Sequence, residues 1–252
     1  PLRTARRARR ARVKLTFLGT RGEIEARTGR HGMHSALLVE YYGRRVMIDC
    51  GDDWRGGLSG IDPDAIVLTH AHPDHAWGLR DGAPCPVHVT RATWEDIGGY
   101  PIEVRRVIEP RGPAEIEGIG FEAFEVEHST RCPAVGYRVT AGRVAVFYGP
   151  DLVYIHEREA ALSGCRLYIG DGATLERSFV RRQGEHLIGH TPVRTQLTWC
   201  AKLGVPEAIV THCGAQIVEG DPDAVAAQIE EWARERGVAA SIARDGMTRV
   251  LR

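Results

Sequence analysis

Three histidines and an aspartate crowd into six residues of the chain, His70-Ala71-His72-Pro73-Asp74-His75. They directly follow the apolar run Ala65–Leu68, whose composition and length predict a buried strand. Pro73 favours the first turn of a helix, where its missing N–H costs nothing. A turn between that strand and that helix would aim the four side chains into one small volume. Imidazole and carboxylate are the ligands of zinc and its first-row neighbours, so the segment predicts a metal site.

Three more candidate ligands follow predicted strands elsewhere in the chain. His128 ends an alternating run, Asp151 follows a continuous apolar run, and His212 ends a third apolar run. Together with the first four they make seven ligands, more than one tetrahedral zinc ion needs. Two ions about 3.5–4 Å apart and bridged by one carboxylate would use them all. Such a pair would supply a bridging hydroxide as nucleophile for hydrolysis at phosphorus or carbonyl carbon.

The composition is typical of a soluble globular protein. The chain has 252 residues, of which 43% are hydrophobic and 26% charged, and no apolar run reaches the roughly 18 residues of a membrane helix. The first fourteen residues lack the apolar core of a secretory signal, and the six cysteines lie singly, without a C-x-x-C pair. We therefore expect a cytoplasmic protein with one hydrolase domain over residues 13–252.

Residues 1–12 predict a disordered basic arm. Residues 1–14 contain six arginines and Lys14 but no acidic residue. Such an arm could bind nucleic acid through phosphate contacts, or its charge could be incidental. No aromatic residue lies among the arginines, which favours the incidental charge.

Several polar residues near these segments are candidates for substrate binding. The segment Thr20–Met33 is rich in Gly and Arg and has no periodicity, so it predicts a loop. Its Arg30 and His31, with His34 just beyond, could offer cationic groups to an anionic substrate or could simply lie on the surface. Ser129, directly after His128, is a further candidate.

The remaining patterns predict alternating strands and helices, hence an α/β protein. Further strands are predicted at Val13–Leu18, Ser35–Tyr41, Arg45–Asp49, Pro86–Val89, Arg166–Gly170, Val238–Ile242 and Thr248–Leu251, with two short ones within residues 100–118. Helices are predicted from the cap Thr90 to Ile97, from the cap Thr191 to Lys202, and from the cap Asp221 to Gly237.

The pattern His70-x-His72-x-Asp74-His75, followed by His128, Asp151 and His212, resembles the metallo-β-lactamase superfamily, and the resemblance extends from Val13 to His212. It implies a four-layer αββα sandwich with two divalent ions, zinc or alternatively manganese or iron, at one edge of its sheets. It implies that His70, His72 and His128 bind the first ion. It assigns Asp74, His75 and His212 to the second ion, with Asp151 as the bridge. Zinc lactamases commonly have cysteine where Asp151 stands, which argues against a lactam substrate.

The segments Gly189-His190-Thr191 and Ile209–Cys213 resemble the phosphodiesterase branch of that superfamily, which contains ribonuclease Z and the cyclic phosphodiesterase of the carbon–phosphorus lyase pathway. A histidine placed as His190 lies near the scissile phosphate there, as leaving-group acid or phosphate ligand, and His186 is a weaker candidate for the same role. His190 also precedes a predicted helix N-terminus, which favours an anion. His190 and Asp74 are the expected catalytic residues.

Two departures from that branch narrow the expected substrate. Only 22 residues separate His128 from Asp151, where ribonuclease Z carries a tRNA-binding arm, so a small or cyclic phosphate ester is favoured over nucleic acid. The cysteine-based zinc site of the cyclic phosphodiesterase is absent from the sequence, and Asp171 stands where the branch often has glutamate.

We expect a homodimer with no membrane partner. The alternatives are a carboxyl-ester, thioester or lactone hydrolase, a nuclease aided by the arm, and a non-catalytic binder of metal or nucleic acid.

Overall fold

The computed structural model describes residues 12–252, whose strands form two sheets and one separate hairpin. The strands are β1 (Val13–Gly19), β2 (Ala36–Tyr41), β3 (Arg44–Ile48), β4 (Ala65–Val67), β5 (Val87–Val89), β6 (Arg105–Val107), β7 (Ala114–Ile116), β8 (Ile119–Glu127), β9 (Ala134–Ala141), β10 (Val144–Gly149), β11 (Tyr154–Ile155), β12 (Leu167–Asp171), β13 (Phe179–Gln183), β14 (His186–His190), β15 (Glu207–Thr211), β16 (Ala239–Ile242) and β17 (Thr248–Leu251). The helices are α1 (Leu58–Ile61), α2 (Pro73–Ala76), α3 (Arg91–Ile97), α4 (Arg158–Leu162), α5 (Val193–Lys202), α6 (Ala215–Val218) and α7 (Pro222–Arg234). Short 3₁₀ turns lie at Asp52–Trp54 and Trp77–Leu79. The predicted arm lies outside the described residues, apart from Arg12.

Each sheet contains a parallel part. The first sheet has the order β17-β1-β2-β3-β4-β5-β6, and β3 to β6 run parallel. The second has the order β11-β8-β9-β10-β12-β15-β16, with β7 beside β8, and β10, β12, β15 and β16 run parallel. Parallel strands deliver the residues that follow their carboxyl ends to one edge of a sheet, where ligand sites of α/β proteins form.

Apolar side chains on both faces of the sheets build the layers. In β10, Val146 and Tyr148 pack in the core between the two sheets, whereas Phe147 packs against the outer helices. Leu197 of α5 and Ile229 of α7 belong to that outer core. A third apolar cluster joins the first sheet to α1 and α3. The predicted α/β class and four-layer αββα sandwich are therefore confirmed.

Two of the three predicted helix caps are confirmed. The Thr90 hydroxyl accepts a hydrogen bond from Thr93 N at the start of α3. The Asp221 carboxylate accepts hydrogen bonds from two backbone N–H groups at the start of α7. That helix ends at Arg234, earlier than predicted, because Gly237 adopts a left-handed conformation (φ 70°) that turns the chain out of the helix.

The prediction that Thr191 caps α5 is wrong. The cap is Pro192, and the helix begins at Val193. Thr191 N instead donates a hydrogen bond to Leu152 O at 2.9 Å, which ties the entrance of the helix to the loop that follows β10.

The hairpin β13–β14 was not predicted, and it carries His190 at its end. β13 is mostly exposed and carries Arg181, Arg182 and Gln183, and β14 is half-buried, so neither strand has the apolar alternation that marks a strand in sequence. None of the helices in residues 12–252 is long and apolar enough to cross a membrane.

Candidate metal and catalytic site

The parallel strands of both sheets bring the candidate ligands to one edge of the sandwich. His70 lies just beyond β4, Asp151 just beyond β10, and His212 directly after β15. His128 follows the antiparallel strand β8. The turn between β4 and α2 is held against the first sheet, since Cys50 N donates to His75 O at 2.7 Å. A Cβ at Gly51 would lie 2.1 Å from Asp74 O, so only glycine allows this close approach.

The first group of ligand atoms contains three imidazoles and one carboxylate. His72 Nδ1 lies 3.0 Å from both His70 Nε2 and His128 Nε2. Asp151 Oδ2 lies 3.5 Å from His70 Nε2. One ligand atom from each of these four residues lies within 4.8 Å of the others, close enough for one metal ion.

The second group shares Asp151 with the first. Asp74 Oδ2 lies 3.0 Å from His212 Nε2 and 3.2 Å from His75 Nε2. Asp151 Oδ2 lies 3.6 Å from His75 Nε2 and 3.7 Å from His212 Nε2. All seven predicted ligands are thus brought together, with Asp151 between the two groups.

Asp49 orients His75 and was missed as a site residue. His75 Nδ1 donates to Asp49 Oδ2 at 2.9 Å, which leaves Nε2 facing Asp74 and Asp151. Thr69 N and its hydroxyl both donate to the same carboxylate. Asp49 has a left-handed backbone (φ 62°), which is strained for a non-glycine residue and recurs at functional sites. The only signal in the sequence was its position at the end of β3.

A second buried carboxylate, Asp171, orients His190. His190 Nδ1 lies 2.9 Å from Asp171 Oδ2 and 3.0 Å from Asp151 Oδ1. Asp171 is itself anchored, because its backbone N–H donates to Gln196 Oε1 at 2.9 Å and its carboxylate accepts from Leu152 N and Ala173 N. With Nδ1 engaged, Nε2 of His190 is left for a ligand in the cavity.

Burial favours the neutral form of two imidazoles of the first group, those of His70 and His72. Burial, reinforced by the neighbouring His75, lowers the pKa of His70 well below its usual value. Burial and His128 lower the pKa of His72 to about 4. Neither side chain therefore holds a proton that would compete with a metal ion at neutral pH.

In the rest of the cluster, neighbouring carboxylates raise the pKa of two histidines, His75 and His190. Burial opposes the charged form of His75, but Asp74 and Asp49 outweigh it and raise its pKa to about 10. Burial also opposes the charged form of His190, and Asp171 and Asp151 raise its pKa to about 11. A proton on His190 at neutral pH is what a general acid requires.

The donor set fits a pair of divalent ions. Within residues 12–252, the buried atoms His75 Nε2 and Asp151 Oδ1 make no hydrogen bond, and both face other ligand atoms. His70 Nε2 and His128 Nε2 also converge on His72 Nδ1, each at 3.0 Å. A divalent cation in each group would give these buried atoms a partner, and the mixed imidazole–carboxylate set suits zinc and its first-row neighbours.

The cluster opens into a cavity of about 490 Å³. His72, Asp74, His128, Asp151, His190 and His212 line its floor. The other lining residues include Glu23 and the apolar residues Ile24 and Phe179. No lysine or arginine side chain of residues 12–252 lines it.

The structure does not bring the predicted substrate-binding residues into this cavity. Arg30 and His31 line a separate cavity beside α6 and α7, where His31 Nδ1 contacts the Thr20 hydroxyl. His34 Nδ1 lies 3.0 Å from a carboxylate oxygen of Asp53, in the 3₁₀ turn after β3. Ser129 Oγ accepts from Arg131 N, and His186 is exposed with its Nδ1 3.5 Å from Glu127. The sequence showed their polarity but not the direction in which they face.

Comparison with known proteins agrees with this geometry. Residues 44–213, more than half of the chain, match the family model described as the beta-lactamase superfamily domain. The chain belongs to the beta-lactamase superfamily. It is a hydrolase of the metallo-β-lactamase fold, and its His/Asp groups could hold divalent metal ions.

The chain is similar in sequence to a protein named as a nuclease and similar in fold to two solved structures. It is 27% identical to a ribonuclease Z from Methanopyrus kandleri over 94% of this chain and 98% of that protein. Its structure is similar to YhfI of Bacillus subtilis, with a TM-score of 0.73 and 17% identity over 95% and 99% of the two chains. It is also similar to a diphosphatase of the PhnP family, with a TM-score of 0.70 and 21% identity over 95% and 97%.

Proposed function

We propose that this superfamily member is a dinuclear metal phosphodiesterase that acts on a small phosphate ester. The observation that carries the proposal is the pair His190–Asp171 at the wall of the cavity. His190 is outside the seven predicted ligands, yet its Nδ1 is 2.9 Å from a buried carboxylate and its ring faces the cavity. A buried acid–base pair of this kind beside a metal cluster fits a reaction whose leaving group must be protonated.

The seven candidate ligands would divide between two ions. One ion would be held by His70, His72 and His128, and the other by Asp74, His75 and His212. Asp151 would bind both ions. When bound, zinc or another first-row ion would supply Lewis-acid polarisation of the phosphoryl group and an activated water molecule. Asp49 keeps His75 in the tautomer that leaves Nε2 for the cluster, as such carboxylate partners commonly do for ligating histidines.

The chain's own residues then handle the proton of the leaving group. Asp171 holds His190 in one orientation and favours its protonated form. Nε2 of His190 donates that proton to the ester oxygen as the phosphorus–oxygen bond breaks. The buried position of Asp171 keeps water from competing for the imidazole.

Curated relatives named ribonuclease Z support a reaction at phosphorus. A small ester is favoured over a polynucleotide because no lysine or arginine among residues 12–252 lines the cavity. The homodimer and the cytoplasmic location stay predictions.

The test is His190→Ala assayed on two diesters. An alkyl diester has a poor leaving group, and loss of its general acid should lower kcat/KM by about 10²–10⁴-fold, or about 2.7–5.5 kcal/mol. A nitrophenyl diester needs little protonation, so its loss should be much smaller. The metal content of His190→Ala should equal that of the wild-type protein.

His186→Ala is the matched control, since His186 lies on the same strand but outside the cavity. It should keep full activity on both diesters. Equal losses on both substrates in His190→Ala would assign His190 to phosphate binding. Unchanged kcat/KM with metals intact would remove His190 from the mechanism and favour hydrolysis of a carboxyl ester, thioester or lactone.

A further inference from the structure

Two side chains outside the metal cluster give the cavity a distinct chemistry. Among residues 12–252, Glu23 is the one charged lining residue that is not part of the His/Asp cluster, and Phe179 is the one aromatic carbocycle. Ile24, Ala173 and Ala215 add apolar surface. We call Glu23, Ile24 and Phe179 the outer subsite.

Glu23 stands on a loop that is held rigidly against the cluster. Arg21, 2% exposed, donates to the carbonyl oxygens of Gly22 and Ile24 and forms an ion pair of 2.6 Å with Asp53. Gly22 N donates to Cys213 O, and a Cβ at Gly22 would lie 3.0 Å from the His212 ring. The backbone on both sides of Glu23 is therefore fixed beside the site.

The Glu23 carboxylate itself is available to a ligand. The Nε2 atom of His34 lies 3.9 Å from it, but burial lowers the pKa of His34 to about 4, so that ring is uncharged at neutral pH. The Arg21 guanidinium is held by Asp53, which also pairs with Arg27. Glu23 is 64% exposed at its side chain, so a ligand in the cavity can reach it without breaking an existing ion pair.

Phe179 lies beside the proposed general acid. It pairs directly with His190 across the hairpin, and paired residues of an antiparallel ladder place their side chains on the same face. Its side chain is half exposed although it is large and apolar. The group that receives the His190 proton would therefore lie close to the Phe179 ring.

The outer subsite combines a carboxylate with an aromatic face and apolar walls, and no lysine or arginine of residues 12–252 lines the cavity. Such a lining suits an organic cation better than a second anion. We propose that the outer subsite binds an ammonium group carried by the alcohol that the reaction releases. The inference rests on the proposed function. In the reaction, water adds to phosphorus, the bond to the aminoalcohol oxygen breaks, and that oxygen takes the proton of His190, leaving a phosphate monoester and the free ammonium alcohol.

The experiment compares two diesters of methyl phosphate, one with choline and one with 3,3-dimethylbutanol. The two alcohols have the same shape, but a carbon atom replaces the charged nitrogen in the second. The metal-loaded enzyme should release choline with a kcat/KM about tenfold above that for the neutral alcohol, the size expected for a partly exposed ion pair plus a cation–π contact.

Variants assign that preference to the subsite. Glu23→Gln should reduce it to about threefold or less, and Glu23→Lys should reverse it, because each removes an attraction of roughly the size of a surface ion pair. Phe179→Leu should reduce it while retaining apolar bulk. Glu25→Gln is the control, since Glu25 is exposed on the same loop and does not line the cavity. It should leave the preference unchanged.

Equilibrium binding supplies a readout that does not depend on turnover. Analogues with a methylene group in place of the scissile oxygen should show the same order of affinity by calorimetry, again lost in Glu23→Gln. Hydrolysis of both diesters at equal rates, with Glu23 variants indistinguishable from wild type, would overturn the subsite but leave the phosphodiesterase intact. Cleavage of no diester, with equal binding of both analogues, would overturn both. A strong preference for a nucleoside cyclic phosphate that ignores Glu23 would also overturn the subsite.

Discussion

Replacement of Asp171 by asparagine isolates the role of the buried carboxylate behind His190. The carboxylate lies 2.9 Å from His190 Nδ1, and it is fully buried. At an effective dielectric constant of about 20, a unit charge about 4 Å away contributes roughly 4 kcal/mol, or about three pKa units. The His190 side chain is 24% exposed, which screens part of this charge. We therefore expect Asp171→Asn to lower the pKa of His190 by roughly one to two units.

The sign of the pH effect follows from the role of His190 as an acid. A general acid must be protonated, so activity falls as the pH rises through its pKa. A lower pKa in Asp171→Asn moves that fall to lower pH. Loss of the orienting hydrogen bond should also reduce kcat/KM at the optimum by about 10–100-fold on an alkyl diester.

The assay is a pair of kcat/KM–pH profiles, one on an alkyl diester and one on a nitrophenyl diester. In Asp171→Asn, the fall in kcat/KM on the alkaline side of the profile (the alkaline limb) should move to lower pH. This displacement should be prominent for the alkyl diester and weak for the nitrophenyl diester. Asp171→Glu keeps the charge and should restore the position of the limb. Metal content must be measured as well, because Asp171 Oδ1 also lies 3.5 Å from His212 Nδ1. An alkaline limb that stays at its wild-type pH, with equal losses on both substrates and full metal content, would refute the reasoning.

Three further outcomes test the rest of the site. Elemental analysis of fully loaded protein should give two metal ions per chain, and Asp151→Ala should lower occupancy at both positions, whereas a value of one under metal excess would contradict the dinuclear arrangement. Asp49→Asn should weaken metal affinity about 10–100-fold in a chelator competition, since it unties His75 without removing a ligand; wild-type affinity would show that Asp49 is not needed there. Deletion of residues 1–12 should leave kcat on a small diester unchanged, and a large loss would assign the arm a catalytic role.

Local sequence was sufficient to name the seven candidate ligands, because each is marked by its residue type and by the apolar run that precedes it. Pro73 starts α2 as predicted, so His72 and Asp74 flank a turn that the residue types themselves favour. His212 and Asp151 follow apolar runs that could only be buried strands, and such runs are visible without a partner. Most buried strands and the helices α3, α5 and α7 were predictable for the same reason, whereas their arrangement in two sheets followed from the family resemblance.

Features that depend on which strands are neighbours were decided by tertiary structure alone. Asp49 and His75 meet because β3 and β4 pair in parallel, and no local pattern links two residues 26 positions apart. Asp171 ends β12, which lies beside β10, and the end of the hairpin is held near it because Gly189 N donates to His128 O and Thr191 N donates to Leu152 O. The strands of that hairpin carry no apolar periodicity. Arg30 and His31 are residue types that commonly bind anions, but the path of their loop directs them to another cavity. Residue type determines what a side chain can do, whereas the packing of distant strands determines what it faces.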